Sequence, residues 1–368
     1  MDQIAAEERF QLDPYKDWID REGIPVAEDF GVHMHRVETK PWARFDAKGA
    51  IVHVKGRGDN VSIFLLDLPP GGKTSPQRHL YEEVVFVLEG HGSTEIVAHD
   101  GRKHTFEWGP NSLFALPLNT NYRVFNASGR DRALLASSNN LALMLNLFHN
   151  DAFIFNNPCH FPEREGKESY FSGEGDFIPR KKARPVWETN FVPDLVKFEM
   201  TPWKERGAGG TNIFFMLADG NMHAHMSEMP VGTYKKGHRH GPDFHVCCVT
   251  GNGFSLLWYE KDQDFVRVDW DHGVVFSPPD MMFHQHFNTS PVPARYLATA
   301  LGSQRYPMTQ AKRKLGEKAA LSVKDGGNQI EYEDQDPRIH EMYLEDMARH
   351  GAVSRMSEFI DETRYRRN

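Results

Sequence analysis

Gly232-Thr-Tyr-Lys-Lys-Gly-His238-Arg-His240-Gly-Pro-Asp-Phe244-His245 is followed further along the chain by Pro279-Asp-Met-Met-Phe-His284-Gln-His286-Phe-Asn288. Side chains on a strand alternate with a period of two, so His238 and His240 share a face and a third imidazole from a distant strand can close a metal site. The spacing predicts a β-fold holding a metal ion on His238, His240 and His284. His286, two residues past His284, shares the inward face, where it can bond substrate, act as acid or base, or simply support a ligand. Arg239 sits between the first two histidines and should face away, into a surface salt bridge.

The same pattern occurs earlier with most of its imidazoles missing. An offset of 161 residues lays Asp67-Leu-Pro-Pro-Gly71 on Glu228-Met-Pro-Val-Gly232, His79 on His240, Gly90 on Gly251 and Gly92 on Gly253. One further residue of shift lays Pro117 on Pro279, Tyr122 on His284, Phe125 on Phe287 and Asn126 on Asn288. A period this long marks two copies of a whole domain, since solenoid units are only a few tens of residues. Gln77 stands in place of the first histidine and Tyr122 in place of the third. With His79 and Glu83 they form a degenerate counterpart, read as a hydrogen-bonded relic that stabilises the first barrel.

Bulk composition narrows the function classes. The 368 residues suffice for two domains with their own cores. Lys plus Arg number 43 against 51 Asp plus Glu, a net charge of -8 with the signs interspersed, which argues against nucleic acid as a partner. The N-terminus lacks a basic region followed by an apolar stretch, and no apolar run approaches the roughly 20 residues that span a bilayer. The expectation is a cytoplasmic protein that engages neither membrane nor nucleic acid. Cys159, Cys247 and Cys248 are an odd set, and neighbouring strand residues point oppositely, so reduced, inert thiols are expected.

Five regions follow from the punctuation. Residues 1–46 read as an N-terminal arm carrying a short helix stopped by Gly23 and Pro25. Residues 47–149 alternate short Val-, Ile-, Leu- and Phe-rich runs with turn clusters, as in an all-β barrel. Residues 150–205 break every period and read as a linker lying over both barrels. Residues 206–305 form the second barrel, and residues 306–368 a helical extension with Pro337 just inside a helix start and Gly351 just past its stop. That tail could dock on the core or on a second copy, and a homo-oligomer is expected.

These residues resemble the cupin superfamily, whose motifs run Gly-x5-His-x-His-x3or4-Glu-x6-Gly and Gly-x5-Pro-x-Gly-x2-His-x3-Asn. The second copy supplies Gly232, His238, His240 and Gly251, then Gly273, Pro279, His284 and Asn288. The first supplies Gly71, Gln77, His79, Glu83 and Gly90, then Pro117, Tyr122 and Asn126. The resemblance implies a bicupin, two double-stranded β-helix (jelly-roll) barrels. The glutamate position falls on Phe244 with three intervening residues and on His245 with four, so a one-residue bulge decides whether His245 is a fourth ligand. The reading adopted makes His245 a ligand. Met281 replaces a family glycine.

An all-nitrogen ligand set selects a first-row transition metal, with Fe(II) the first choice and Mn, Ni, Zn or Cu compatible. The chain is similar to the ring-cleaving gentisate and salicylate dioxygenase group, which implies iron-dependent cleavage of a carbon-carbon bond in a small aromatic or dicarbonyl substrate by O2. In that group the metal lies in the N-terminal copy, whereas here the C-terminal copy is the better equipped. Two alternatives stand beside this one: a non-redox lyase, isomerase or hydrolase using Zn, Mn or Ni as Lewis acid, and a non-enzymatic small-molecule-binding cupin. Trp258, Tyr234 and Tyr259 are candidate substrate-binding walls, Trp258 first on apolar area. His223 and His225 form another His-x-His pair off the motif, read as packing or interface. The stretch from Lys204 to Thr211 lacks the Gly-Lys-Ser/Thr ending of a phosphate loop and reads as an entry loop.

Overall fold

The computed structural model describes residues 12–57, 60–180, 184–203, 205, 207–241, 244–308 and 321–365; the extreme N-terminus and, in the glycine-rich loop, Lys204 and Arg206 lie outside them. The turn-punctuated β-rich runs become two all-β jelly rolls. In the first, a large sheet runs in the order Val26–Asp29, Ala47–Val54, Ser62–Leu68, Ala133–Asn139, Glu83–Glu89, Leu113–Ala115, Phe191–Val192, and it faces a small sheet of Asn121–Asn126, Gly92–Val97 and Lys103–Trp108. The second repeats this order with Val186–Thr189, Thr211–Leu217, Met222–Met229, Ala294–Leu301, His245–Thr250, Val274–Phe276 and Gly31–His33, facing Val266–Trp270, Gly253–Trp258 and Phe283–Asn288.

The two barrels exchange edges. Gly31–His33, from the arm, pairs with Val274–Phe276 of the second barrel, while Phe191–Val192, from the linker, pairs with Leu113–Ala115 of the first. Arm and linker thus each supply sheet strands, and the repeated unit extends beyond the stretches the motifs delimit. Residues related by the 161-residue offset meet across the pseudo-twofold axis: Thr299 Oγ1 donates to Ser138 Oγ at 2.9 Å, and His272 Nε2 lies 3.1 Å from Asn111 Oδ1.

Between the large sheets lies a shared apolar core containing Val52, Ile63, Phe86 and Leu134 from one barrel and Phe215, Met226, Cys247 and Leu297 from the other. Each such side chain contributes roughly 1.5–3 kcal/mol on burial, so packing holds the fold without help from an ion. The core also fixes strand faces. On Met222–Met229, the residues Met222, Ala224 and Met226 enter it, which turns His223, His225 and Ser227 into the barrel. On His245–Thr250, Cys247 and Val249 enter it, while Val246 and Cys248 face the barrel interior.

The helix Pro337–Arg349 starts at Asp336, whose side chain accepts from the Arg338 N–H, and lays Ile339, Tyr343 and Met347 over the outside of the second small sheet against Phe254 and Phe287. The helix Pro14–Glu22 ends at Gly23 in the left-handed region and packs Tyr15, Trp18 and Ile19 on the first barrel. Among the described residues no helix is long and apolar enough to cross a membrane.

Gly92 and Gly253 coincide for a steric reason. A Cβ at Gly253 would stand 1.9 Å from the Phe287 carbonyl oxygen and 2.8 Å from the Trp270 ring, and at Gly92 it would stand 2.0 Å from the Phe125 oxygen. Gly253→Ala is therefore expected to cost about 1–3 kcal/mol, as overpacked cores do. Denaturant unfolding measures this, and an unchanged midpoint would refute the steric account.

Candidate metal centre

His238 and His284 face each other across a backbone bridge, the His238 N–H donating to the His284 carbonyl at 3.0 Å and the reverse bond closing at 2.8 Å. Two bonds fix the register, and alternation brings His240 to the same face. One ligand atom from each of His238, His240 and His284 lies within 4.8 Å of the other two, with His238 and His284 buried and His240 half-buried at the rim. The Nδ1 atoms of His238, His284 and His240 sit 3.2, 3.1 and 2.8 Å from the carbonyl oxygens of Lys236, Met282 and Gly241. A carbonyl can only accept, so each Nδ1 carries the proton and each Nε2 keeps its lone pair, the tautomer a bound metal requires. The three donors fit a first-row ion.

Around them is a cavity of about 50 Å³. His286 lines it, its Nδ1 2.8 Å from Ser255 Oγ, which also accepts from Trp270 Nε1 at 3.0 Å. Lys235, buried, donates from Nζ to the Tyr296 hydroxyl at 3.0 Å. His223 Nε2 lies 2.7 Å from His225 Nδ1. Burial first, and then the neighbouring His223, Arg184, Lys235 and His240, hold His225 neutral, well below the ordinary histidine range. The pocket can thus present metal ligands, proton-carrying groups and cations to one small molecule.

Phe244, not His245, occupies the glutamate position. Its ring centroid lies 4.3 Å from that of His240, and the residue at the same offset in the first barrel is Glu83. His245 shares the parity of Cys247 and Val249, so it points into the core between the barrels, where its Nδ1 meets Ser138 Oγ at 2.9 Å. Burial, with Arg57 and His53 nearby, pushes its pKa down to about 3. The expected fourth ligand is corrected: the register irregularity of this strand falls between Cys248 and Thr250, too late to swing His245 inward.

The expected substrate walls are corrected as well. Tyr234 is fully buried beneath the C-terminal helix, its hydroxyl 3.1 Å from His340 Nδ1. Trp258 stacks on Phe283 in the same outer layer, and Tyr259 is 44% exposed, bonded to the Asp280 carbonyl at 3.3 Å. Large aromatic area marked them, but Tyr234 and Trp258 pack in the layer beneath the C-terminal helix and Tyr259 lies at the surface. His223 and His225, read as packing, line the cavity; the apolar Met222, Ala224 and Met226 alternating with them was the available signal. Lys235, Tyr296, Arg184 and Trp203 went unnoticed. Arg239 does face away, pairing with Glu260 at 3.0 Å.

In the first barrel Glu83 accepts from His79 Nε2 at 3.0 Å, from the Tyr122 hydroxyl at 2.9 Å and from Ser137 Oγ. Gln77 is absent from this network: its amide turns outward to the Arg44 carbonyl at 2.9 Å. The adjoining cavity, about 30 Å³, is walled chiefly by apolar residues such as Phe64, Leu66 and Leu135.

Residues 39–148, the first barrel, match the family model described as auxin binding protein. No curated protein matches the chain. Among solved structures, vicilin from hazelnut (Corylus avellana) is 11% identical with a TM-score of 0.47, covering 74% of this chain and 85% of that one. Oxalate decarboxylase from Bacillus subtilis at pH 4.6 is 14% identical with a TM-score of 0.48, covering 75% of this chain and 77% of that one.

Proposed function

We propose that the second barrel is the active site of a metal-dependent enzyme, and that its ion is Fe(II) in a dioxygenase that cleaves a carbon-carbon bond of a small aromatic or dicarbonyl compound with O2. The carrying observation is the convergence of three imidazoles, each fixed by a carbonyl on its Nδ1, beside Phe244 where the motif expects a carboxylate. Such an ion, unneutralised by its ligands, supplies a double positive charge for anionic or enolised oxygens and a redox couple for dioxygen. Phe244 keeps one wall dry. His286, oriented by Ser255, and Tyr296, bonded to Lys235, stand ready to hold or deliver a proton. The proposal includes a homo-oligomer in the cytoplasm.

Anaerobic loading with Fe(II), followed by oxygen-uptake measurement on catechols, hydroxybenzoates and diketones, is expected to show consumption coupled to ring or chain cleavage. Zinc-loaded protein should consume none. A second reading, a lyase, isomerase or hydrolase with Zn, Mn or Ni as Lewis acid, is favoured by the Lys235–Tyr296 and His223–His225 pairs, which suit proton transfer without electron transfer. Equal turnover with zinc and no oxygen uptake selects it and rejects the dioxygenase.

A further inference from the structure

His33, His35 and His272 stand in a row where the arm meets the second barrel, with ring centroids 5.6 Å apart for the first two and 5.1 Å for the last two. We propose that this row is an acid-sensitive latch, which holds the exchanged strand Gly31–His33 on Val274–Phe276 at neutral pH and releases it as the imidazoles take up protons. His33 and His35 flank the end of the strand, and the Met34 N–H between them donates to the Gly273 carbonyl at 3.0 Å. The ring of His35 lies over Gly273, where a Cβ would stand 2.5 Å from its Cδ2.

Hydrogen bonds assign the protons. His272 Nε2 lies 3.1 Å from Asn111 Oδ1, an oxygen that can only accept, so Nε2 carries the proton and Nδ1 keeps its lone pair. His35 Nε2, 3.1 Å from that Nδ1, then donates to it. The bond accommodates one proton between the rings: when both are charged, two N–H groups face each other and it breaks. The charged and titratable groups facing the pair are His33, Asp271, Glu89 and Arg132; His33 Nε2 lies 3.3 Å from Asp271, His35 Nδ1 3.9 Å from Glu89, and Arg132 holds Glu89 at 2.5 Å. Burial is the largest influence on His35 and His272 and keeps both below the ordinary histidine value, for His35 against the pull of Glu89. Groups depressed in this way contribute stability that is present above the unfolded value and lost as pH falls from there towards the folded one, here the mildly acid range.

The first barrel shows that strand exchange needs no imidazole. There Phe191–Val192 pairs with Leu113–Ala115 and continues as Pro193-Asp-Leu-Val196, and the Leu195 N–H donates at 2.9 Å to the carbonyl of Asn111, the counterpart of His272. Release of the arm would leave Val274–Phe276 paired on one side alone, with His245–Thr250. The ring centroid of Phe276 lies 5.7 Å from that of His286, so the loosened strand adjoins the cavity that His238, His240 and His284 line.

Hydrogen exchange on the full chain, followed by mass spectrometry at about pH 7.5 and about pH 5.5 and corrected for intrinsic rates, reads the opening of each seam. Protection over 31–36 and 273–277 is expected to fall about tenfold at the lower pH, the factor that one pKa unit supplies, while the histidine-free seam at 191–196 should change by less than about twofold. Replacing both rings, His35→Gln with His272→Gln, should bring the fall at 31–36 within about twofold as well. A wild-type fall under about twofold, an equal fall at both seams, or a fall of about tenfold that survives in the double variant would overturn the latch. Where the double variant does not fold, Glu89→Gln decides: that side chain is 37% exposed, and loss of its charge should move the wild-type transition to lower pH by about half a unit. A transition that stays in place or moves upward would overturn the latch equally.

Discussion

His240→Ala is expected to strip the chain of its metal while the protein stays folded. Of the three imidazoles, His240 is the one at the rim, half-buried, whereas His238 and His284 are buried. Truncating it opens no core cavity, and the fold rests on apolar burial between and inside the barrels. The unfolding free energy should therefore change by no more than about 0.5 kcal/mol, the usual range for a surface position. Metal affinity should respond very differently. Losing a group that merely orients a ligand costs about 10–100-fold, so loss of a ligand itself should cost at least about a hundredfold. Elemental analysis of wild type and variant purified side by side, together with their melting curves, gives both numbers. Equal metal content in the two would remove the basis of the proposed chemistry. His284→Ala would be less informative, because at 1% exposure its removal also leaves a void.

How far the sequence spoke depended on what each inference needed. His238, His240 and His284 were legible because strand periodicity and motif spacing are local, and local geometry put them together. Choosing between Phe244 and His245 required the location of a bulge, which is set by pairing with Ala294–Leu301 and lies at Cys248 to Thr250. His223 and His225 were legible in principle from the alternating apolar partners on their strand. Lys235, Tyr296 and Arg184 were not, since they reach one cavity from three distant segments and no spacing connects them. Tyr234 and Trp258 misled for the opposite reason: a large buried aromatic looks the same in sequence whether a substrate or a C-terminal helix covers it. The exchange of Gly31–His33 and Phe191–Val192 between barrels likewise depends on long-range pairing that a three-residue or two-residue strand does not announce.

The first barrel answers a separate question, whether a site without its metal ligands is idle or structural. Glu83 is 6% exposed and accepts hydrogen bonds from His79, Tyr122 and Ser137. Glu83→Ala removes the acceptor of all three buried donors at once. Removing one partner of a buried, hydrogen-bonded ion pair typically costs about 3–5 kcal/mol, and a loss of that size is expected here. Metal bound in the second barrel should not change. The carboxyl also carries a pH prediction. Burial works to raise its pKa, but the bonds and charge of His79 with the bonds from Ser137 and Tyr122 outweigh it and hold the group below the ordinary glutamate value. A depressed folded-state pKa contributes stability that is present above the unfolded value and fades as pH falls through the folded one. Wild type should therefore lose stability on acidification below the usual carboxylate range by a step that Glu83→Gln lacks. Denaturant titrations of the three proteins from neutral to acid pH measure both effects. A Glu83→Ala midpoint equal to wild type would mean the network is incidental, and loss of metal from that variant would mean the two barrels share a site rather than dividing structure and chemistry between them.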